Sequence, residues 1–179
     1  DDYAGICGIT KEELLMQMSE DIEELARRRN ITKEQVIDKL KENYDGYHFT
    51  RFSPDIFNPY SLLNCFAENK FGSYWFTSCT PTYLINMMRK YQLVPTDVIT
   101  RVEADASEFD APTENMPTIM PLLYQSGYIT IKEYHEDYNY YVLDVPNKEV
   151  KMGLTKALIP SYVTQNTLAT TNTARRFAQ

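Results

Sequence analysis

The run from Tyr44 to Leu84 constrains the fold most, because it carries three backbone devices that each admit few conformations. Asp45-Gly46 predicts a turn, since Gly reaches φ > 0 without a Cβ clash. Asn58-Pro59 and Thr80-Pro81 each set a capping side chain before a Pro whose fixed φ suits the first helical position. The single Trp of the chain, Trp75, lies between the second and third devices. All three are architectural; none supplies a nucleophile, a metal cage or a phosphate cradle. Trp75 is expected to be buried among Phe49, Tyr60, Phe76 and Leu84 as part of a scaffold.

Upstream, Thr10 with Glu13 and Thr32 with Gln35 form capping boxes. Leu14, Met18, Ile22 and Leu25 follow the first at helical spacing and predict one helix over about 11–29. Val36, Ile37, Leu40 and Tyr44 predict a second, with Asn30 suited to the left-handed residue between them and Gly46 ending the pair. Tyr47-His48-Phe49 and Ile56-Phe57 around Ser53-Pro54-Asp55 read as a small hairpin. Asn58 and Pro59 open a helix buried through Leu62, Leu63 and Phe66, running to about Asn69 before Gly72 breaks it. Thr80 and Pro81 open another through Leu84, Ile85, Met88 and Tyr91.

Pro95, Pro112 and Pro117 then punctuate an acidic stretch, the natural place for a subdomain boundary. Ile119, Leu122, Leu123 and Tyr124 predict a short helix stopped by Gly127. Residues 128–134 and 140–145 alternate as paired strands around a 135–139 loop. Pro146 ends the hairpin, and Asn147 caps a final helix through Val150, Leu154 and Leu158 that Pro160 kinks or ends. The expected fold is mainly α with a small β-hairpin, an α+β chain: a helical bundle followed by a winged-helix-like subdomain. Its expected parts are a helical subdomain with the aromatic motif (1–92), an acidic connection (93–117), the winged-helix-like subdomain (118–162) and a linker or tail (163–179).

Composition narrows the chemistry. Three Cys, at positions 7, 65 and 79, are odd in number and lack a C-x-x-C pair, which fits reduced, packed thiols better than disulfides or zinc. No apolar run is long enough to span a bilayer, so the chain reads as cytoplasmic with no membrane partner. Its formal net charge of −7 opposes nonspecific nucleic-acid binding. The stretch 116–127, which would be the reading helix of a DNA-binding winged helix, has no Lys or Arg. The hairpin tip sets Glu133, Glu136 and Asp137 against Lys132. Among 14 Tyr, exposed ones would suit a protein partner.

His48 lies between aromatics without an adjacent nucleophile and reads as a packed ring. Thr77, Ser78, Cys79 and Thr80 read as turn groups that satisfy backbone rather than as nucleophiles. His135, Glu136 and Asp137 read as a solvated turn rather than a metal site. The run Arg27-Arg28-Arg29 suits the negative end of its helix dipole. Arg51 and Arg89 are the candidates for a phosphate sensor. No catalytic, cofactor-binding or metal residue is assigned.

In order and spacing, Tyr44-Asp45-Gly46-Tyr47-His48-Phe49, Phe57-Asn58-Pro59-Tyr60-Ser61-Leu62-Leu63 and Tyr74-Trp75-Phe76-Thr77-Ser78-Cys79-Thr80-Pro81 form a specific combination. With Gly127-Tyr128 and Pro146-Asn147 downstream, it resembles the AAA-ATPase-like family of bacterial proteins, in which an ATPase-like region precedes a PD-(D/E)XK nuclease-like domain. The match runs to about Tyr162 and carries neither the Gly-rich Lys-Ser loop nor the acidic nuclease motif of that family. The resemblance implies the C-terminal half of the ATPase-like region, a noncatalytic lid or coupling module. ATP and Mg would then belong to the parent protein, and the partners would be the rest of its own polypeptide. A self-contained protein-interaction or DNA-binding regulatory module is the alternative.

Overall fold

The computed structural model describes residues 7–78, 82–93, 100–112 and 116–162. Its N-terminal part is helical: α1 (Lys11–Gln17), α2 (Ser19–Arg29), α3 (Lys33–Tyr44) and α4 (Pro59–Glu68). Both capping boxes form, Glu13 N donating to Thr10 Oγ1 at 3.2 Å and Gln35 N to Thr32 Oγ1 at 3.2 Å. The single helix expected over 11–29 is instead two. Met18, at φ −120° and ψ 23°, closes α1 and opens α2. Each piece still turns its apolar side inward, Leu14 from α1 and Ile22, Leu25 and Ala26 from α2, into a core with Val36, Leu40, Tyr44, Phe57, Leu62 and Cys65.

Asn30 takes the left-handed conformation between α2 and α3, as its residue type suggested. Residue 69 does the same after α4: Asn69, at φ 52°, ends that helix, not Gly72. Asn58 caps α4 by accepting from Ser61 N at 3.1 Å, with Pro59 in its first turn. The hairpin expected at 47–57 is reduced to a single rung. Tyr47 and Ile56 form one antiparallel bridge, and Phe57 turns away to bridge Ile9.

Downstream come α5 (Trp75–Ser78), α6 (Thr82–Lys90), β1 (Val102–Ala104), α7 (Ala106–Phe109), α8 (Met120–Gln125), β2 (Thr130–His135), β3 (Tyr140–Asp144) and α9 (Lys148–Tyr162). The expected two-stranded hairpin is a three-stranded antiparallel sheet in the order β1-β3-β2. Its third strand comes from the acidic stretch 93–117, where Val102, Glu103 and Ala104 pair with Leu143, Val142 and Tyr141 in turn. Three residues are too short a run for periodicity to announce. α9 continues to Tyr162, past Pro160.

A second core gathers Leu84, Met88, Phe109, Leu123, Ile131, Leu143, Val150, Leu154 and Leu158, with Tyr47 and Ile56 reaching into it. On the sheet, Tyr141 meets Tyr134 at 4.7 Å in a tilted pair and Phe109 at 5.3 Å edge to face. His135 stacks on Tyr140 at 4.5 Å, as strand alternation requires. Among the described residues, no helix is long and apolar enough to cross a membrane.

Candidate functional site

The motif residues meet where the helical core joins the sheet. α3 ends at Tyr44, whose hydroxyl donates to Gly72 O and accepts from Gly72 N, both at 2.9 Å, tying α3 to the segment before α5. Asp45 is the extended C-cap and Gly46 follows at φ +91°. A Cβ on Gly46 would stand 2.5 Å from Pro146 O and 2.9 Å from Lys132 Nζ, so any side chain there has to displace the facing carbonyl. Asn147 bridges the two halves: Nδ2 donates to Asp45 O at 3.0 Å, while Oδ1 accepts from Val150 N at 3.1 Å and so caps α9. Next to it, Lys148 pairs with Glu42 of α3 at 2.9 Å.

Lys132, expected on the hairpin tip, belongs to this junction. It sits at the bulge between Ile131 and Glu133, and its Nζ donates to Gly46 O at 2.8 Å and Pro146 O at 3.0 Å. The residue as a whole is exposed, but its ammonium is enclosed by those carbonyls, and burial lowers its pKa. Thr130, 1% exposed, completes the seam. Its hydroxyl accepts from His48 N and donates to His48 O, each at 2.8 Å, replacing a strand partner for that residue. The His48 ring contacts Asp55 at 3.3 Å.

Tyr47 is buried, and Phe49, 39% exposed, stacks on it at 6.4 Å. Gly127 takes φ +73° with Tyr47 against it, and Tyr128 is buried. The expected surroundings of Trp75 need correction. It is half-buried, meeting Phe76 at 6.0 Å and Tyr128 at 5.4 Å edge to face, whereas Tyr60 is half exposed on α4. The helical face of α4 that carries Leu62 and Cys65 inward necessarily turns Tyr60 and Leu63 outward. Thr80 and Pro81 lie outside the described residues.

Sequence reasoning assigned no role to Glu149, Ser61 or Gly153. Glu149 is 2% exposed; its Oε1 accepts from Trp75 N at 2.8 Å and from Tyr74 N, holding the start of α5. Ser61, fully buried, stands beside it. Gly153 of α9 lies so close to Phe76 that a Cβ would be 2.1 Å from the ring. A Glu in the first turn of a helix is all that the sequence shows of Glu149, and first-turn acids are ordinarily solvated caps.

These groups do structural work. Burial pushes the Cys65 thiol up to about 11, far from a nucleophile at neutral pH. Among the described residues, no group of three His, Cys, Asp or Glu side chains is placed to hold a metal. Arg51 is engaged by Glu136 at 2.6 Å and lies over Tyr134 at 4.0 Å.

No family model matches the chain, and no solved structure matches it. A protein of Azotobacter chroococcum mcd 1, described as "Uncharacterized protein in vnfD 5'region", is 28% identical over 163 residues. That similarity covers 90% of this chain but 29% of the relative's length.

Proposed function

We propose that this chain is a noncatalytic coupling segment of an AAA-ATPase-like protein, set between a P-loop domain and a nuclease-like domain of the parent. The observation that carries the reading is the junction. Of the residues that bear the resemblance, Asp45, Gly46, Pro146 and Asn147 come together across it: Asn147 Nδ2 donates to Asp45 O, and Lys132 Nζ donates to both Gly46 O and Pro146 O. A joint that holds two packed units against each other can carry a movement of one to the other.

The strand order β1-β3-β2, with α6, α7 and α8 arranged around β1 ahead of the hairpin, supports a winged-helix-like unit. That arrangement also favours the regulatory-module alternative. Charge argues against a DNA-reading version, since α8 carries no Lys or Arg and Lys132 is committed to carbonyls. ATP and Mg belong to the parent in this reading, in the cytoplasm.

The test is made in the longer protein, with Asn147→Ala at the junction. The coupling reading expects nucleotide hydrolysis to persist while its effect on the downstream activity disappears. Downstream activity indifferent to nucleotide in the unaltered protein would sink it.

A further inference from the structure

Three of the buried polar atoms that lack a hydrogen-bond partner among the described residues, Glu149 Oε2, Ser61 Oγ and Tyr47 Oη, face one another where α9 meets α4 and the segment after α3. Unpaired buried polar groups are costly, so their grouping calls for a physical account. Glu149 supplies it. Its Oε1 is saturated by the N–H groups of Tyr74 and Trp75, but no ion pair reaches its carboxyl among the described residues. Lys148, the neighbouring cation, points to Glu42 instead.

We infer that Glu149 is held in the folded chain as a neutral carboxylic acid, Oε1 accepting from the backbone entering α5 and Oε2–H donating toward Ser61 Oγ. The proton satisfies Oε2 and Ser61 at once, and it removes the need to bury a charge without a counter-ion. Ser61 can then pass its own hydroxyl hydrogen into the polar cluster, where Tyr47 faces Asn58 and Asn147.

The groups facing Glu149 agree with this. Tyr47 comes from the segment after α3, Cys65 and Ser61 from α4, and Tyr74 from the segment before α5. Tyr47, Cys65 and Tyr74 ionise only to anions and burial keeps them neutral, so none of them can supply a counter-charge to the carboxylate. Desolvation raises the pKa of Glu149 against the opposing pull of Ser61 and the backbone N–H groups. A carboxyl raised on folding contributes stability that is complete below its unfolded value, about 4.5, and is lost as pH climbs through its folded value. The device is therefore a proton-held latch on the entry to α5, tightest at low pH and loosened when the proton leaves.

Trp75 sits at the latch and is the only Trp, so it reports locally. Carbon-detected NMR of this chain with labelled Glu carboxyls should show Glu149 titrating above 4.5, with Trp75 emission changing at the same midpoint. A midpoint at or below 4.5 overturns the inference, and this measurement needs no variant. Glu149→Gln keeps both an acceptor and a donor without a charge. Its melting temperature should lack the decline that the unaltered chain shows as pH rises through that midpoint. A Gln variant whose melting temperature falls in parallel with the parent across the same pH range counts against a proton at this position.

Discussion

Gly46 and Gly153 look interchangeable in sequence, yet each is required for a different reason. At Gly46 the left-handed φ of +91° and the approach of Pro146 O act together. Gly46→Ala should cost at least about 2 kcal/mol, the sum of a conformational penalty of about 1 to 2 and displacement of the facing carbonyl. Chemical denaturation would read it as a lowered midpoint. Gly153 is helical, so Ala there would by propensity alone stabilise by about 1 kcal/mol. The Phe76 ring at 2.1 Å from the new Cβ reverses that sign, and overpacking of about 1 to 3 kcal/mol is expected to win. A Gly153→Ala protein more stable than its parent would show that Phe76 can move aside. Lys132→Met tests a polar joint rather than a steric one. It leaves Gly46 O and Pro146 O without that donor, so a loss of about 1 to 3 kcal/mol is expected by the same denaturation measurement.

Among the elements, α5 is the most dependent on others. It spans four residues, too few to be stable as a helix alone, and is kept by Glu149 at its start and by the contacts of Trp75 and Phe76 with Tyr128. Because Trp75 is only half-buried, Trp75→Ala should cost less than the about 3 to 5 kcal/mol typical of an enclosed aromatic. A loss within or above that range would mean that the whole segment releases with it. α9 depends instead on its first turn. Asn147 both caps it and donates to Asp45 O, so Asn147→Ala removes a cap worth about 1 kcal/mol and strands a carbonyl. Hydrogen exchange should report faster opening at Val150 and Lys151 in that variant.

At the scale of the molecule, two cores are joined by a polar seam, and the surface outside it is acidic on balance. The cations nearest the sheet are engaged: Arg101 with Glu133 at 2.5 Å, Arg51 with Glu136, and Lys148 with Glu42. Duplex and single-stranded DNA should therefore show no submicromolar binding in fluorescence anisotropy at about 50 mM salt, where screening is weak and attraction is exaggerated. Tight, steeply salt-dependent binding would promote the regulatory-module reading over the coupling one. Calorimetric titration with ATP should likewise give no dissociation constant at or below about 10 µM for this chain alone.

What the sequence determined by itself is local. Capping at Thr10, Thr32 and Asn58, the left-handed Asn30, the stop at Gly127 and the β2-β3 hairpin all follow from interactions within a few residues. Side-chain chemistry and spacing suffice at that range. Tertiary structure decided the rest. Met18 carries no breaker chemistry, yet the helix divides there, with Leu14 before the break and Ile22 after it both buried in one core. Val102 to Ala104 becomes a strand only because β3 offers an open edge. Lys132 is a solvated hairpin cation until a bulge delivers its ammonium to carbonyls from residues 46 and 146. Glu149 is an ordinary first-turn acid until α4 and the entry to α5 close over it. In each case the decisive partner is distant in the chain, and a contact of that kind leaves no periodicity or spacing for a local reading to find.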